Sequence, residues 1–179
     1  MSGLFDAFFD LLVDGGSAIL NLIIENRQEK RDLQALMVQQ REEHATIVRQ
    51  MATRGKSRSF RGFDLTGATL DNLDLAAVDL TEASFRNAQV FQTDFQEADL
   101  TGADFSGAYL VDINFARANL SQADFTEAIL QNVDFSQANL RGAELSLTKE
   151  LIGCTWNGAY INSKTELVQE IRSNIFDSL

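Results

Sequence analysis

The side chains best able to do chemistry here are carboxylates on a regular spacing. Asp64, Asp104, Asp124 and Glu144 stand 20 or 40 residues apart, with Glu127 beside them and Arg86 as the one cation expected to offset them. Such a row can serve as acid and base. Acid–base work needs a cleft that shifts carboxyl pKa values, and nothing in this spacing provides one. The remaining candidates are solitary. His44 is the sole histidine and Cys154 the sole cysteine, so neither a histidine-based metal site nor an internal disulfide can be assembled. Cys154 reads as a small inward-facing residue. There is no glycine-rich phosphate loop, nucleophile elbow, HExxH or Cys/His cluster. No catalytic residue, cofactor or metal ligand is assigned, and the expectation is a protein that is not an enzyme.

The 179 residues carry 26 acidic and 15 basic side chains, a formal net charge of -11. That charge repels phosphates and anionic head groups, which argues against direct binding to nucleic acid. It is unevenly placed. Residues 1–58 hold eight acids and eight bases, whereas residues 59–147 hold 14 acids and four bases. The opening MSGLFDAFFDLLVDGGSAILNLII is apolar, yet no Lys or Arg precedes Arg27, so it lacks the basic region of a signal peptide. Asp6, Asp10 and Asp14 interrupt it and Gly15-Gly16 splits it, which argues against a membrane span. A soluble, cytoplasmic protein is expected.

What must position the carboxylates is a repeat. From Phe60 to Leu145 every position divisible by five is apolar. Two residues earlier the side chain is usually Ala, as at Ala83, Ala98, Ala103 and Ala123, and the residue between is commonly Asp or Asn. A period of five fits neither a helix at 3.6 nor a strand at 2.0 and needs a backbone that turns a corner every five residues. The runs ADLTGADFSGAYL and ANLSQADFTEAIL resemble the pentapeptide-repeat family, whose pattern is A(D/N)LXX, over about residues 58–147. The resemblance implies a β-solenoid: a right-handed quadrilateral β-helix with one repeat per side and 20 residues per coil.

The residues support four sides independently. At a step of 20, Leu65, Phe85, Phe105, Phe125 and Leu145 form one column, opposite Leu75, Phe95, Phe115 and Phe135. Leu80, Leu100, Leu120 and Leu140 oppose Leu70, Val90, Leu110 and Leu130. Phe then faces Phe and Leu faces Leu across a filled bore, in a rod roughly 20 Å long.

The flanks are expected to be helical. An N-terminal helical arm over 1–56 holds a short amphipathic helix at 3–13 and a longer one at 18–53. The β-helix occupies 57–162 with a loop near 147–153, after which Trp156 and Ile161 resume inward places behind Cys154 and Ala159. Ser163-Lys-Thr-Glu166 reads as a capping box opening a C-terminal helix over 163–179. That helix is either a lid on the open ladder edge or a dimer interface. In the longer N-terminal helix, Ile19, Ile23, Leu33, Met37, Ile47 and Met51 form a partly apolar heptad seam, a candidate coiled-coil oligomerisation surface. The arm can instead cap the rod or dock on a partner. The lack of basic residues beside Phe5, Phe8 and Phe9 weighs against a membrane surface.

One further feature is apolar. Phe91, Tyr109, Val111 and Ile129 occupy outward places around the Leu70, Val90, Leu110, Leu130 column, forming a candidate interaction strip. Either the protein's own N-terminal helix or another molecule should cover it. The reading of the whole chain is a non-catalytic protein–protein interaction or scaffold module, with its protein partner unidentified and a homo-oligomer through either terminal helix in view. The alternative also rests on the resemblance. Quinolone-resistance types in the family mimic duplex DNA and occupy gyrase, a type II topoisomerase, and the acidic face could do the same.

Overall fold

A helix needs residues that lose little on winding, and a solenoid needs corners at a fixed interval; the chain has a segment of each kind. The computed structural model describes residues 27–52 and 59–166. The chain divides into two compact units, Met1–Gln40 and Arg41–Leu179. Helix α1, Arg27–Ala52, contains neither Gly nor Pro and is rich in Gln, Arg, Glu, Leu and Ala, all strong helix formers. The helix expected over 18–53 is thus present at 27–52. Residues 18–26 and the helix expected over 3–13 lie outside the described residues.

In the second unit the repeats wind into a parallel β-solenoid. Strands β1 (Thr69–Asp71), β2 (Gln89–Phe91), β3 (Tyr109–Val111), β4 (Ile129–Gln131) and β5 (Glu150–Ile152) stack in sequence order as one sheet. Leu70, Val90, Leu110, Leu130 and Leu151 lie in register through it. The other three sides are ladders of single parallel bridges, such as Asp64–Ser84, Asp74–Asp94 and Asp79–Asp99.

The corner falls two residues after each inward side chain. Backbone φ is positive there at Asn72, Ala77, Glu82 and their counterparts, and glycine takes the same place at Gly62, Gly67 and Gly102. The left-handed conformation costs an L residue roughly 1–2 kcal/mol. Local hydrogen bonds offset it. On three sides the inward residue's carbonyl accepts the amide three residues on, as Leu65 does from Ala68 at 3.0 Å. The Asp or Asn just before the inward residue accepts the amide two residues on: Thr66 to Asp64 at 3.0 Å, Ala116 to Asn114 at 2.9 Å, Ser136 to Asp134 at 2.8 Å. The carboxylates of the repeat are therefore turn-makers first.

The bore is filled as its columns require. Phe85, Phe105 and Phe125 stack at 4.6 and 5.1 Å, and Phe95, Phe115 and Phe135 at 5.2 and 5.5 Å. The two columns meet edge to face across the centre, Phe105 to Phe115 at 5.6 Å. Both arrangements suit the ring quadrupole.

Beyond Leu145 the structure departs from expectation twice. Residues 147–153 are not an open loop, because Glu150–Ile152 is strand β5, paired with β4. The extra residue is taken up as a bulge. The Lys149 amide donates to Ala128 as Ile129 does to Ala108, yet Glu150 is the residue in register with Ile129. Trp156 and Ile161 then resume inward positions, Trp156 buried and Ile161 packed against the core with Cys154 and Ala159. The second departure is at the capping box. Ser163 and Lys164 form a turn, Thr165 is buried with its hydroxyl donating to the Leu140 carbonyl at 2.9 Å, and Glu166 bridges Glu144. The solenoid therefore runs on to Glu166, and Ser163–Glu166 is turn and ladder rather than the opening of a helix. Residues 167–179 lie outside the described residues.

Candidate interaction surfaces

The apolar strip assembles on the sheet. Phe91 is in register with Val111, and Tyr109 with Ile129. The Phe91 and Tyr109 rings meet edge-on at 5.7 Å. Outward places on β2, β3 and β4 hold Gln89, Phe91, Tyr109, Val111, Ile129 and Gln131, none of them charged. The bulge adds a residue that a step of 20 hides: Ile152, in register with Gln131 and 53% exposed. A step of 21 across the insertion would have found it.

The acidic side is also one column, with Asp64, Ser84, Asp104, Asp124, Glu144 and Glu166 bridged in succession. Its charge is offset by more than Arg86. Arg86 reaches Asp104 at 3.1 Å, Arg41 donates to Asp64 at 2.8 Å, and Lys149 pairs with Glu127 at 3.0 Å. Arg41 lies on α1 and Lys149 sits at the bulge, so neither could be aligned with the column by counting fives. Asp124 and Glu144 hold the amides of Thr126 and Ser146. Burial raises the Asp64 carboxyl, but hydrogen bonds from Arg41 and Thr66 outweigh it and leave the group below its usual value. Glu166 is pushed up by its hydrogen bond with Glu144 and by that neighbour's charge. Among the described residues no group of His, Cys, Asp and Glu is placed to hold a metal ion.

The second unit has a third surface at its leading coil, built with the last turns of α1. Arg41, His44, Ala45 and Val48 recur at helical spacing, and His44, Ala45 and Val48 are buried. His44 stacks on Phe63, centroids 4.2 Å apart, and its Nδ1 accepts the Asp64 amide at 3.1 Å. In later coils the equivalent amides of Ser84 and Asp104 donate to the coil before, at Phe63 and Ala83. Arg49 Nη2 donates to the Thr69 carbonyl on β1 at 2.8 Å. Side chains of α1 thus satisfy backbone groups on the leading edge, the position where an open ladder invites aggregation. Of the heptad seam, Leu33 and Met37 are partly buried and Ile47 is 38% exposed. Ile19, Ile23 and the Met51 side chain lie outside what is described.

Five-residue sides, Asp/Asn-capped corners and a bore of stacked Phe and Leu define a solenoid of pentapeptide repeats. The chain belongs to the pentapeptide-repeat family: the model described as pentapeptide repeat region matches residues 78–151, and that of pentapeptide repeats in eight copies matches residues 59–96. Among solved structures it is similar to the pentapeptide repeat protein Rfr23 of the cyanobacterium Cyanothece 51142, 22% identical over 61% of this chain and 90% of that one, with a TM-score of 0.52. That likeness is one of fold. A pentapeptide repeat protein of the Arabidopsis thaliana thylakoid lumen is 28% identical over 68% of this chain and 76% of its own, with a TM-score of 0.30. HetL of Nostoc sp. strain PCC 7120, a pentapeptide repeat protein involved in heterocyst differentiation regulation, is 29% identical over 60% and 61%, with a TM-score of 0.29. No curated protein matches the chain. Among the described residues no helix is long and apolar enough to cross a membrane.

Proposed function

We propose that this chain is a non-catalytic protein-interaction module, a solenoid that offers its strand-bearing side to a protein partner. One observation carries the reading. In a chain of net charge -11, the outward places of β2 to β4 hold no charge, and Phe91, Tyr109, Val111 and Ile129 adjoin one another there. Contiguous apolar surface on a soluble protein marks an interface. The stacked bore beneath it keeps the face rigid, so docking loses little conformational entropy. With this reading go a right-handed winding, a C-terminal helix, a cytoplasmic location, and self-association through either terminal helix as one form of the contact. The DNA-mimic reading draws less support, since three of its five carboxylates are paired with cations. Gyrase supercoiling unchanged by micromolar protein would remove it.

The test compares wild type with Tyr109→Asp/Ile129→Asp and with Glu127→Lys as a control on the acidic side. The double variant should keep its melting temperature and lose both its captured partner and any oligomeric mass. The control should lose neither. Retention of partner and mass by the double variant would overturn the reading.

A further inference from the structure

The last turns of α1 are held to the leading coil by an acceptor that can be switched off. We propose that His44 is a pH-operated latch: one proton taken up on Nδ1 turns the acceptor that holds the Asp64 amide into a donor, and residues 41–49 let go of the first coil.

The geometry requires the neutral ring. The Asp64 backbone nitrogen can only donate, so at 3.1 Å the facing Nδ1 must carry a lone pair and the proton must sit on Nε2. A protonated imidazole has donors at both nitrogens, and two N–H groups then face each other. The ring has no room to turn freely. It lies flat against Phe63, 15° from parallel, and is 9% exposed. Nor is the nearest carboxylate idle. Asp64 Oδ2 takes Arg41 at 2.8 Å and Oδ1 takes the Thr66 amide at 3.0 Å, so the carboxylate is held at both oxygens and swinging it towards His44 would disturb these two bonds.

The charged groups around the ring come from both elements. Glu43 on α1 and Asp64 on the coil favour the proton, Arg41 sits on Asp64 and diminishes its pull, and burial outweighs them to hold the imidazole below its ordinary value of 6.5. A histidine depressed in the folded state binds fewer protons folded than unfolded. Its contribution is therefore intact above 6.5 and is lost as pH falls from there towards the folded value. The carboxylates held below 3.8, Asp64, Asp79 and Asp134, respond only in a more acidic window. Because His44 is the sole histidine, an imidazole signal followed as pH falls below 6.5 reports on this one ring.

Release uncovers the Asp64 amide, the Thr69 carbonyl and the Phe63 ring together, which is the leading edge of a parallel ladder. An open edge of this kind pairs with added strands. The latch would make that edge available in a mildly acidic setting and closed at neutral pH.

The experiment uses the full chain and NMR. The sole imidazole gives one Hε1 resonance to titrate, and amide exchange is followed at Asp64 and at Ser84, whose amide donates to Phe63 inside the ladder at 2.9 Å. The expected midpoint lies below 6.5. Asp64 exchange, corrected for its intrinsic rate, should rise as the ring titrates, by about tenfold for each unit between the folded and unfolded values, while Ser84 holds. In His44→Gln a side-chain oxygen can accept the same amide without titrating, and the Asp64 response should flatten. A midpoint at or above 6.5, Asp64 protection constant through the titration, or an undiminished response in His44→Gln would each overturn the latch. Should His44→Gln fail to fold, the wild-type titration decides alone.

Discussion

Trp156 lies flat on Phe135, ring centroids 4.4 Å apart and planes 9° apart, across a coil that has gained a residue. The column Phe95, Phe115, Phe135 therefore continues through the irregularity, and the insertion is spent on the surface. Trp156 is 7% exposed and, among the described residues, stacks on one aromatic neighbour in its column. Trp156→Ala should cost about 3 kcal/mol, near the lower end for removing a buried Trp, because its burial is incomplete. Trp156→Phe, which restores the type used above it, should cost less than about 1.5 kcal/mol. Urea unfolding measures both; equal losses would mean that ring stacking contributes little there.

The corners give an opposite pair of substitutions. A Cβ added at Gly67 meets nothing within 4 Å, but φ is +70°, so Gly67→Ala should lose about 1 kcal/mol from backbone strain alone. Ala77 holds φ at 54° without being glycine. Ala77→Gly should gain a few tenths to about 1 kcal/mol, the relief of strain exceeding the entropy that glycine adds to the unfolded chain. Thermal melts of the two variants should move in opposite directions. Movement in the same direction would show that corner φ does not govern stability at these places.

Acid should weaken the solenoid in a narrow window. At Asp64, Asp79 and Asp134 burial raises the carboxyl, but hydrogen bonds outweigh it, from Arg41 and Thr66, from Ser59 and Thr81, and from Ser136 and Thr155. Each is left below 3.8, so the folded state binds fewer protons than the unfolded one. Stability from these groups is fully present above about 4 and falls as pH drops through their folded values. The urea midpoint should be flat on their account from pH 7 to 5 and decline below 4. Asp134→Asn, which keeps an oxygen for the Ser136 amide, should make that decline shallower. An unchanged slope would place the acid sensitivity elsewhere.

How much of this was legible in the sequence depends on distance along the chain. The period of five is local: corner, Asx-type cap and inward residue all lie within one repeat, so Leu65 or Phe105 can be placed by counting. The strip follows from the same count, which is why Phe91, Tyr109, Val111 and Ile129 adjoin. Counting by twenties fails across the insertion, because the step there is 21; Ile152 falls outside the count for that reason. Ion pairs to Asp64 and Glu127 were illegible for a related reason. Arg41 lies 23 residues before Asp64 on a helix, where no repeat register applies. His44 falls seven residues after Met37, in line with the heptad seam, and periodicity cannot tell which of two surfaces a helix will meet.

The bulge is where register can be tested directly. Lys149 and Glu150 both stand against Ile129, and without Lys149 the run Thr148, Glu150, Leu151 reads as small residue, acid, inward residue, which is the repeat itself. Deleting Lys149 removes an ion pair with Glu127 whose members are 58% and 64% exposed, worth at most about 1 kcal/mol. The loss should be offset by a regular ladder. The deletion variant should therefore stay within about 1 kcal/mol of wild type, with the Trp156 fluorescence maximum unmoved. Deleting Thr126 from the regular ladder removes the residue between Phe125 and its corner and turns Ala128 and Leu130 away from the core, so it should cost more than about 3 kcal/mol. If the two deletions are equally damaging, the extra residue is needed to carry the chain from Leu145 to Leu151, and the bulge is part of the corner rather than an insertion the ladder tolerates.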